Sequence, residues 1–281
     1  MSELQRPANA RPRGGEPAPE PPTPVELDHI ERQLALLPTL GGATAVDDER
    51  LQALLVSMPG RGPGYNFAAC PRWPAADSAR LLHLLTDRML EQGEWPAIVV
   101  ADGLSQPATL PTDLAAAGWV ELEGERIYVT RRQPGVPHLD PALRLEGATP
   151  ASAAECQAVE QAAFGLSSEL APARARALAA ALERGALRAY MVRLGGRVVA
   201  SARLTQADGV AGVSGVGVLP DQRGKGFGSL VTAVATRAGL AMGNRLVWLS
   251  VDERNQAALR LYRRLGYQPS FDWTRWAATR R

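Results

Sequence analysis

Residues 216–229 read Val-Gly-Val-Leu-Pro-Asp-Gln-Arg-Gly-Lys-Gly-Phe-Gly-Ser, an apolar strand that breaks at Pro220, turns through three glycines and enters a helix. Such a corner points successive backbone N–H groups and a helix N-terminus at one place, where an anion is favoured by donors and dipole together. Gly224, Gly226 and Gly228 remove the Cβ atoms that would keep a pyrophosphate at a distance. Arg223 and Lys225 add positive charge, and Lys225 is the single lysine among 31 basic residues. The dinucleotide fingerprint and the Walker loop both fit poorly. The spacing after Gly224 is G-x-G-x-G, no Ser or Thr follows Lys225, and the preceding strand belongs to a meander instead of opening a β-α-β unit.

Around this corner the hydrophobic pattern predicts two α/β stretches. In the first, helices fall at 26–37 and 48–58, a Gly/Pro-rich loop at 59–64, and a strand at 65–70. A helix at 77–92, strand at 97–101, helix at 112–117 and strand at 125–131 follow. Pro134, Gly135 and Pro137 mark a linker. In the second, a strand at 143–145 precedes helices at 151–164 and 172–184, then a hairpin of 187–193 and 197–204 around Gly195-Gly196 and a strand at 210–219. The alternation resumes with helix 228–242, strand 246–251, helix 256–265 and closing strand segments over 267–278.

The two alternating stretches superpose without gaps at an offset of 148, placing Val99 on Val247, Gly118 on Gly266 and Trp119 on Tyr267. The expected organisation is therefore a Pro-rich disordered tail over 1–25, a first α/β unit over 26–134, a linker over 135–142 and a second unit over 143–281. At the same offset the glycine-rich loop falls on Ala75–Arg80, where no glycine remains and Asp77 would repel phosphate. Arg61-Gly-Pro-Gly64 is only a loop, since Asn66 stands where a last glycine would be.

Composition narrows the class. With 46% hydrophobic and 21% charged residues the chain reads as globular, and no apolar run reaches the roughly 18 residues of a membrane span. Cys70 and Cys156 suggest neither a disulfide framework nor a metal site, and His29, His83 and His138 are scattered, so no metal is expected. No signal peptide is read, and a cytoplasmic location is expected. Residues 1–141 hold 12 basic and 19 acidic residues and residues 142–281 hold 19 and 10. Two readings of that asymmetry stay open: docking of opposite halves, or a basic half that attracts a polyphosphate ligand. Nucleic acid is disfavoured because no basic stretch is interleaved with aromatics.

The run Val218-Leu-Pro220 followed by Arg223-Gly-Lys-Gly226-Phe-Gly228 has the R-x-x-G-x-G pattern and resembles the acetyl-CoA signature of the GNAT N-acetyltransferase family. A second stretch agrees, for Asn255-Gln-Ala-Ala-Leu-Arg-Leu-Tyr262-Arg-Arg-Leu-Gly266-Tyr267 is similar to the family's N-x-x-A-x-x-L-Y-x-x-x-G-[FY] segment. The resemblance covers about 143–281. It implies an α/β fold of two GNAT-like units, each a mixed central sheet flanked by helices, with only the second complete and the first degenerate. It also implies acetyl-CoA as co-substrate, bound by the backbone of Val216 and Val218, by Arg223, Gly224, Lys225, Gly226, Phe227, Gly228 and Ser229, and by Asn255.

Tyr262 resembles the family's general acid, which protonates the departing thiolate. No carboxylate lies between Val210 and Pro220, so the general base is left to a water relay, Glu160, Glu169 or Asp252. The implied reaction is direct attack of a primary amine on the thioester, the acceptor being a small molecule or peptide. The charge asymmetry adds the expectation of a cationic acceptor, such as a polyamine, an amino sugar or a peptide N-terminus. Trp248, Trp273 and Trp276 are candidates to line its pocket or to pack the core. A longer acyl donor, or an acyl-CoA sensor without turnover, are the alternatives. Two fused units favour a monomer over a homodimer.

Overall fold

The computed structural model describes residues 20–136 and 141–279. Most of the expected tail, most of the expected linker and His138 lie outside them. Residues 20–25 correct the tail reading, because Thr23 caps the first helix, α1 (Pro24–Leu36). The Thr23 hydroxyl accepts from the Glu26 amide while the Glu26 carboxylate accepts from the Thr23 amide, a reciprocal box that satisfies two otherwise orphaned donors.

The first half continues with β1 (Thr44–Asp48), β2 (Ala53–Ser57), β3 (Phe67–Ala69), α2 (Ser78–Glu91), β4 (Ala97–Ala101), α3 (Leu110–Ala116) and β5 (Trp119–Thr130). The second half adds β6 (Leu143–Gly147) and α4 (Ala153–Phe164). It then repeats the same order: α5 (Ala171–Glu183), β7 (Arg188–Leu194), β8 (Arg197–Ala207), β9 (Val210–Val218), α6 (Phe227–Ala241), β10 (Leu246–Val251), α7 (Gln256–Arg264) and β11 (Gln268–Ala278). β5 begins six residues earlier than the strand expected at 125–131.

The helix expected at 48–58 is a hairpin. Asp48 accepts hydrogen bonds at 3.0 Å from the amides of Arg50 and Leu51, and Gln52 turns the chain with φ of +46°. Leu54 and Val56 then face the core under α1, whereas Ala53 and Leu55 face the core under α2 and α3. The side chains alternate with a period of two, and the aspartate turn excludes the competing 3.6-residue period.

All eleven strands form one sheet in the order β1-β2-β3-β4-β11-β5-β10-β9-β8-β7-β6. Each half's last strand is exchanged: β5 pairs antiparallel with β10, and β11 pairs with β4. The two exchanged strands pair with each other at the centre, where Glu125 lies opposite Trp273, its own mate at offset 148. The ungapped superposition fails in β4, where Val99 packs in the core under α1 while Val247 packs under α6; by strand pairing Ile98, opposite Trp276, corresponds to Leu249, opposite Tyr128.

The halves are also tied by charge. Arg126 of β5 pairs with Glu253 at 2.7 Å and with Asp272 at 2.6 Å, and Glu123 pairs with Arg275. α1 straps the join: Gln33 accepts from Trp248 Nε1 at 2.5 Å, and Glu26 receives Arg131 at 2.6 Å and Arg245 at 3.1 Å. The guanidinium of Arg131 is the main cause that holds the Glu26 carboxyl down at about 2 from its ordinary 4.5, against the opposing effect of burial.

A carboxylate depressed in the folded state stabilises above its unfolded pKa and loses that contribution as pH falls toward the folded one. Glu26→Gln is therefore expected to cost about 3 kcal/mol at neutral pH by removing the buried carboxylate charge that Arg131 and Arg245 hold. Urea unfolding from pH 6 to pH 2.5 checks it: the variant should close on the wild type as pH drops below 4.5. Among the described residues no helix is long and apolar enough to cross a membrane.

Candidate active site

β9 and β10 run parallel and pair only at Leu246–Val210, Val247–Ala211 and Trp248–Gly212. Beyond Gly212 the strands part, so the β10-facing edge of residues 213–218 has no strand beside it. Two features of β9 produce the opening. Against β8 the register shifts between Ser201–Gly217 and Arg203–Ser214, a bulge that sets Gly215 and Val216 against Ala202 alone. Gly215 adopts φ of +59°, and a Cβ there would stand 2.9 Å from Glu160 Oε1, so glycine is required on both counts.

At the end of this cleft the chain turns through Pro220–Gln222 and enters α6. Gly224 and Gly226 have φ of +77° and +85°, with open space where a Cβ would project. Gly226 stands at the N-cap of α6, and among the described residues the amides from Gly224 to Ser229 have no hydrogen-bond acceptor. A run of free amides at a helix N-terminus fits a pyrophosphate. Arg223 donates to the Ala163 carbonyl at 2.8 Å, tying the loop to the end of α4, and the Lys225 ammonium rests on Gln222 at 2.9 Å. Phe227 is buried, anchoring the helix start, while Val216, Val218 and Ser229 are half-buried.

On the other side of the cleft Asn255 caps α7, its side-chain oxygen accepting from the Ala258 amide at 3.1 Å. Two turns on, Tyr262 is 7% exposed and packs with Leu259, Leu265 and Tyr267. Burial first and the nearby Glu125 carboxylate second push its phenol up to about 12. Among the described residues its hydroxyl makes no hydrogen bond, whereas Tyr267 is held by Thr236 at 2.7 Å.

The family model of the GNAT acetyltransferases matches residues 155–267, which span the bulged strand, the amide loop and α7. Those residues are a GNAT acetyltransferase domain. The fold of the whole chain is shared with solved structures of low identity. A GCN5-related N-acetyltransferase from Kribbella flavida is 22% identical, with 90% of this chain and 96% of that one covered at a TM-score of 0.69. A tandem GNAT protein of the clavulanic acid biosynthesis pathway is 18% identical over 80% of this chain and 78% of its own, at 0.61. A conserved protein of unknown function from Staphylococcus epidermidis is 13% identical over 84% and 94%, at 0.61. Among curated proteins none is detectably similar in sequence.

In the GNAT domain two of the three carboxylates named from sequence are held by arginines. Glu160 is buried under the bulge and clasped by Arg203 through two contacts of 2.5 and 2.6 Å. Asp252 is held by Arg254 at 2.7–3.0 Å, which lowers its pKa. Glu169 sits in the turn before α5. Trp248 is fully buried core, and Trp276 packs on the core under α2 and α3. Trp273 lines a cavity beside the cleft.

Glu125, on the exchanged strand of the other half, lines the same cavity and is not among the residues named from sequence. Its only signal was the alternation Glu121, Glu123, Glu125, which reads as a solvated strand face.

In the first half, Leu114 at the position of Tyr262 is fully buried, and a 3-10 turn of Ala75–Asp77 replaces the amide loop. The loop at Arg61–Gly64 is held by Asn66, whose side chain bonds to Met58, Arg61 and Gly62. No group of metal-ligating side chains occurs among the described residues.

Proposed function

We propose that this protein transfers the acetyl group of acetyl-CoA to a primary amine, by direct attack and without a covalent enzyme intermediate. The observation that carries the reading is the parting of β9 from β10 beyond Gly212–Trp248, with free amides at one end of the gap and Tyr262 beside it. In this reading the backbone of Val216 and Val218 offers a strand edge to the pantetheine arm, and a β9 amide stabilises the thioester oxyanion. Arg223, Gly224, Lys225, Gly226, Phe227, Gly228 and Ser229 hold the pyrophosphate, and Asn255 fixes the start of α7. Tyr262, protonated throughout the physiological range with a pKa of about 12, gives its proton to the departing thiolate. The first half contributes β5 as a wall of the cleft and binds no acetyl-CoA of its own. Two fused units within one sheet make a monomer the expected state.

Calorimetric titration of acetyl-CoA tests this. One site per chain is expected. Gly226→Glu should weaken it more than about 100-fold, because the side chain forces a strained φ and sets a carboxylate against phosphate. Two sites would restore cofactor binding to the first half, and no binding would end the transferase reading.

A further inference from the structure

A cavity of about 190 Å³ opens at the centre of the sheet, walled by β5 at Glu123–Glu125, by Asp252 and Arg254 after β10, and by Trp273 and Arg275 of β11. It lies on the face that carries Trp273 and Trp248, which is the face of α1 and opposite to α6 and α7. β10 beyond Trp248 has no partner on its β9 side. Asp252, the residue after β10, places the cavity at the open end of that gap.

Three carboxylates border the cavity. Asp252 is neutralised by Arg254, and Glu123 by Arg275. Glu125 has no ion pair among the described residues, and the neutral Ser250 hydroxyl is the one group that favours its charged form. The crowded walls, together with Asp252, raise its pKa above the ordinary value, although its side chain remains open to solvent through the cavity mouth. Its charge is felt by the Tyr262 phenol across the gap. Beside Glu125 on the same face stands its cross-strand neighbour Trp273, only 8% exposed, whose Nε1 finds no acceptor among the described residues. A single unpaired carboxylate beside an aromatic wall is the chemistry that seats an alkylammonium ion.

We propose that this cavity is the acceptor site, that it takes the substrate as a protonated primary amine, and that Glu125, supplied by the first half, removes the ammonium proton before attack. The proposal rests on the acetyl-transfer reading and names its substrate class. The first proton passes from nitrogen to Glu125 and on to solvent. The nitrogen lone pair forms the C–N bond to the thioester carbonyl carbon, and the C–S bond breaks as Tyr262 protonates the sulfur. The second nitrogen proton restores Tyr262. Acid and base then act from opposite faces of the sheet, and neither half holds both.

The test uses the full chain with acetyl-CoA and a panel of spermidine, glucosamine, tyramine and N-acetylglucosamine, reading thiol release from pH 5 to 9. The cationic amines are expected as acceptors and the neutral sugar is not. Glu125→Gln should lower kcat/KM for the best amine about 100-fold or more and remove the rising acid limb of the pH profile, with acetyl-CoA affinity unchanged. Glu125→Asp should recover part of the rate, which a merely structural role would not give. A Glu125→Gln rate within threefold of wild type with the same acid limb overturns the assignment. So does acetyl-CoA binding without turnover of any cationic amine in the panel. Failure of the wild type to bind acetyl-CoA is a different result, which removes the transferase reading itself.

Discussion

A Tyr262→Phe variant will bind acetyl-CoA as the wild type does and turn over about 100-fold more slowly. Phenylalanine keeps the ring against Leu259, Leu265 and Tyr267, so the packing of α7 on the sheet survives. Loss of the hydroxyl orphans no partner, since no hydrogen bond engages it among the described residues. What disappears, in the proposed mechanism, is the proton for the departing sulfur. Burial and the Glu125 charge hold the phenol up at about 12, so the wild type keeps its acid protonated at every pH from 6 to 10. The rate should show no falling limb from this group in that interval. Thiol release measured beside calorimetry decides the matter: an unchanged rate would remove Tyr262 from the chemistry, and a parallel loss of affinity would make it a binding residue.

Residues 141–281 expressed alone will not yield a folded monomer, even though they contain every motif of the GNAT domain. β10 would expose the edge now paired with residues 126–130 of β5, and β11 would lose both neighbours, β4 and β5. Phe271 and Trp273 would lose Phe67 and the α1 face from their core. Unpaired strands of that length recruit other chains, and a typical domain has only roughly 5–15 kcal/mol of net stability to set against such losses. Sedimentation should show aggregates, or a dimer in which a second copy's β11 occupies the place of β5, and co-expression with residues 20–136 should restore a soluble 1:1 complex. A well-folded monomer of 141–281 would mean that strand exchange is dispensable.

The periodic helices and the short buried strands were legible in sequence because each repeats its own period over enough residues. Helices α2, α4, α5, α6 and α7 and strands β4 and β10 fall within one or two residues of the expected ranges. The error at 48–58 came from an apolar spacing that suits either period. The turn chemistry of Asp48 decides it, and the internal repeat held the missing signal, since these residues fall on β8. The Gly226 corner and the Asn255 cap were legible for a different reason. A positive φ and a helix N-cap each restrict residue type locally.

Strand exchange left no such mark. From its own residues β5 is compatible with pairing to either β4 or β10, because ladder hydrogen bonds involve only the neighbouring backbone. The same limit hid Glu125, more than 90 residues from the motifs of the second half. Its meaning depends on Ser250, Trp273 and Tyr262, which come together only once β5 lies between β10 and β11. The amino-acid sequence by itself determined the two α/β units, the amide loop at the start of α6 and the tyrosine of α7, since each is encoded within about one turn of its own chain. Only the tertiary structure decided which half closes the sheet beside which, and so which carboxylate faces the cleft, because pairing between distant strands is selected by the whole core and not by the strand's own residues.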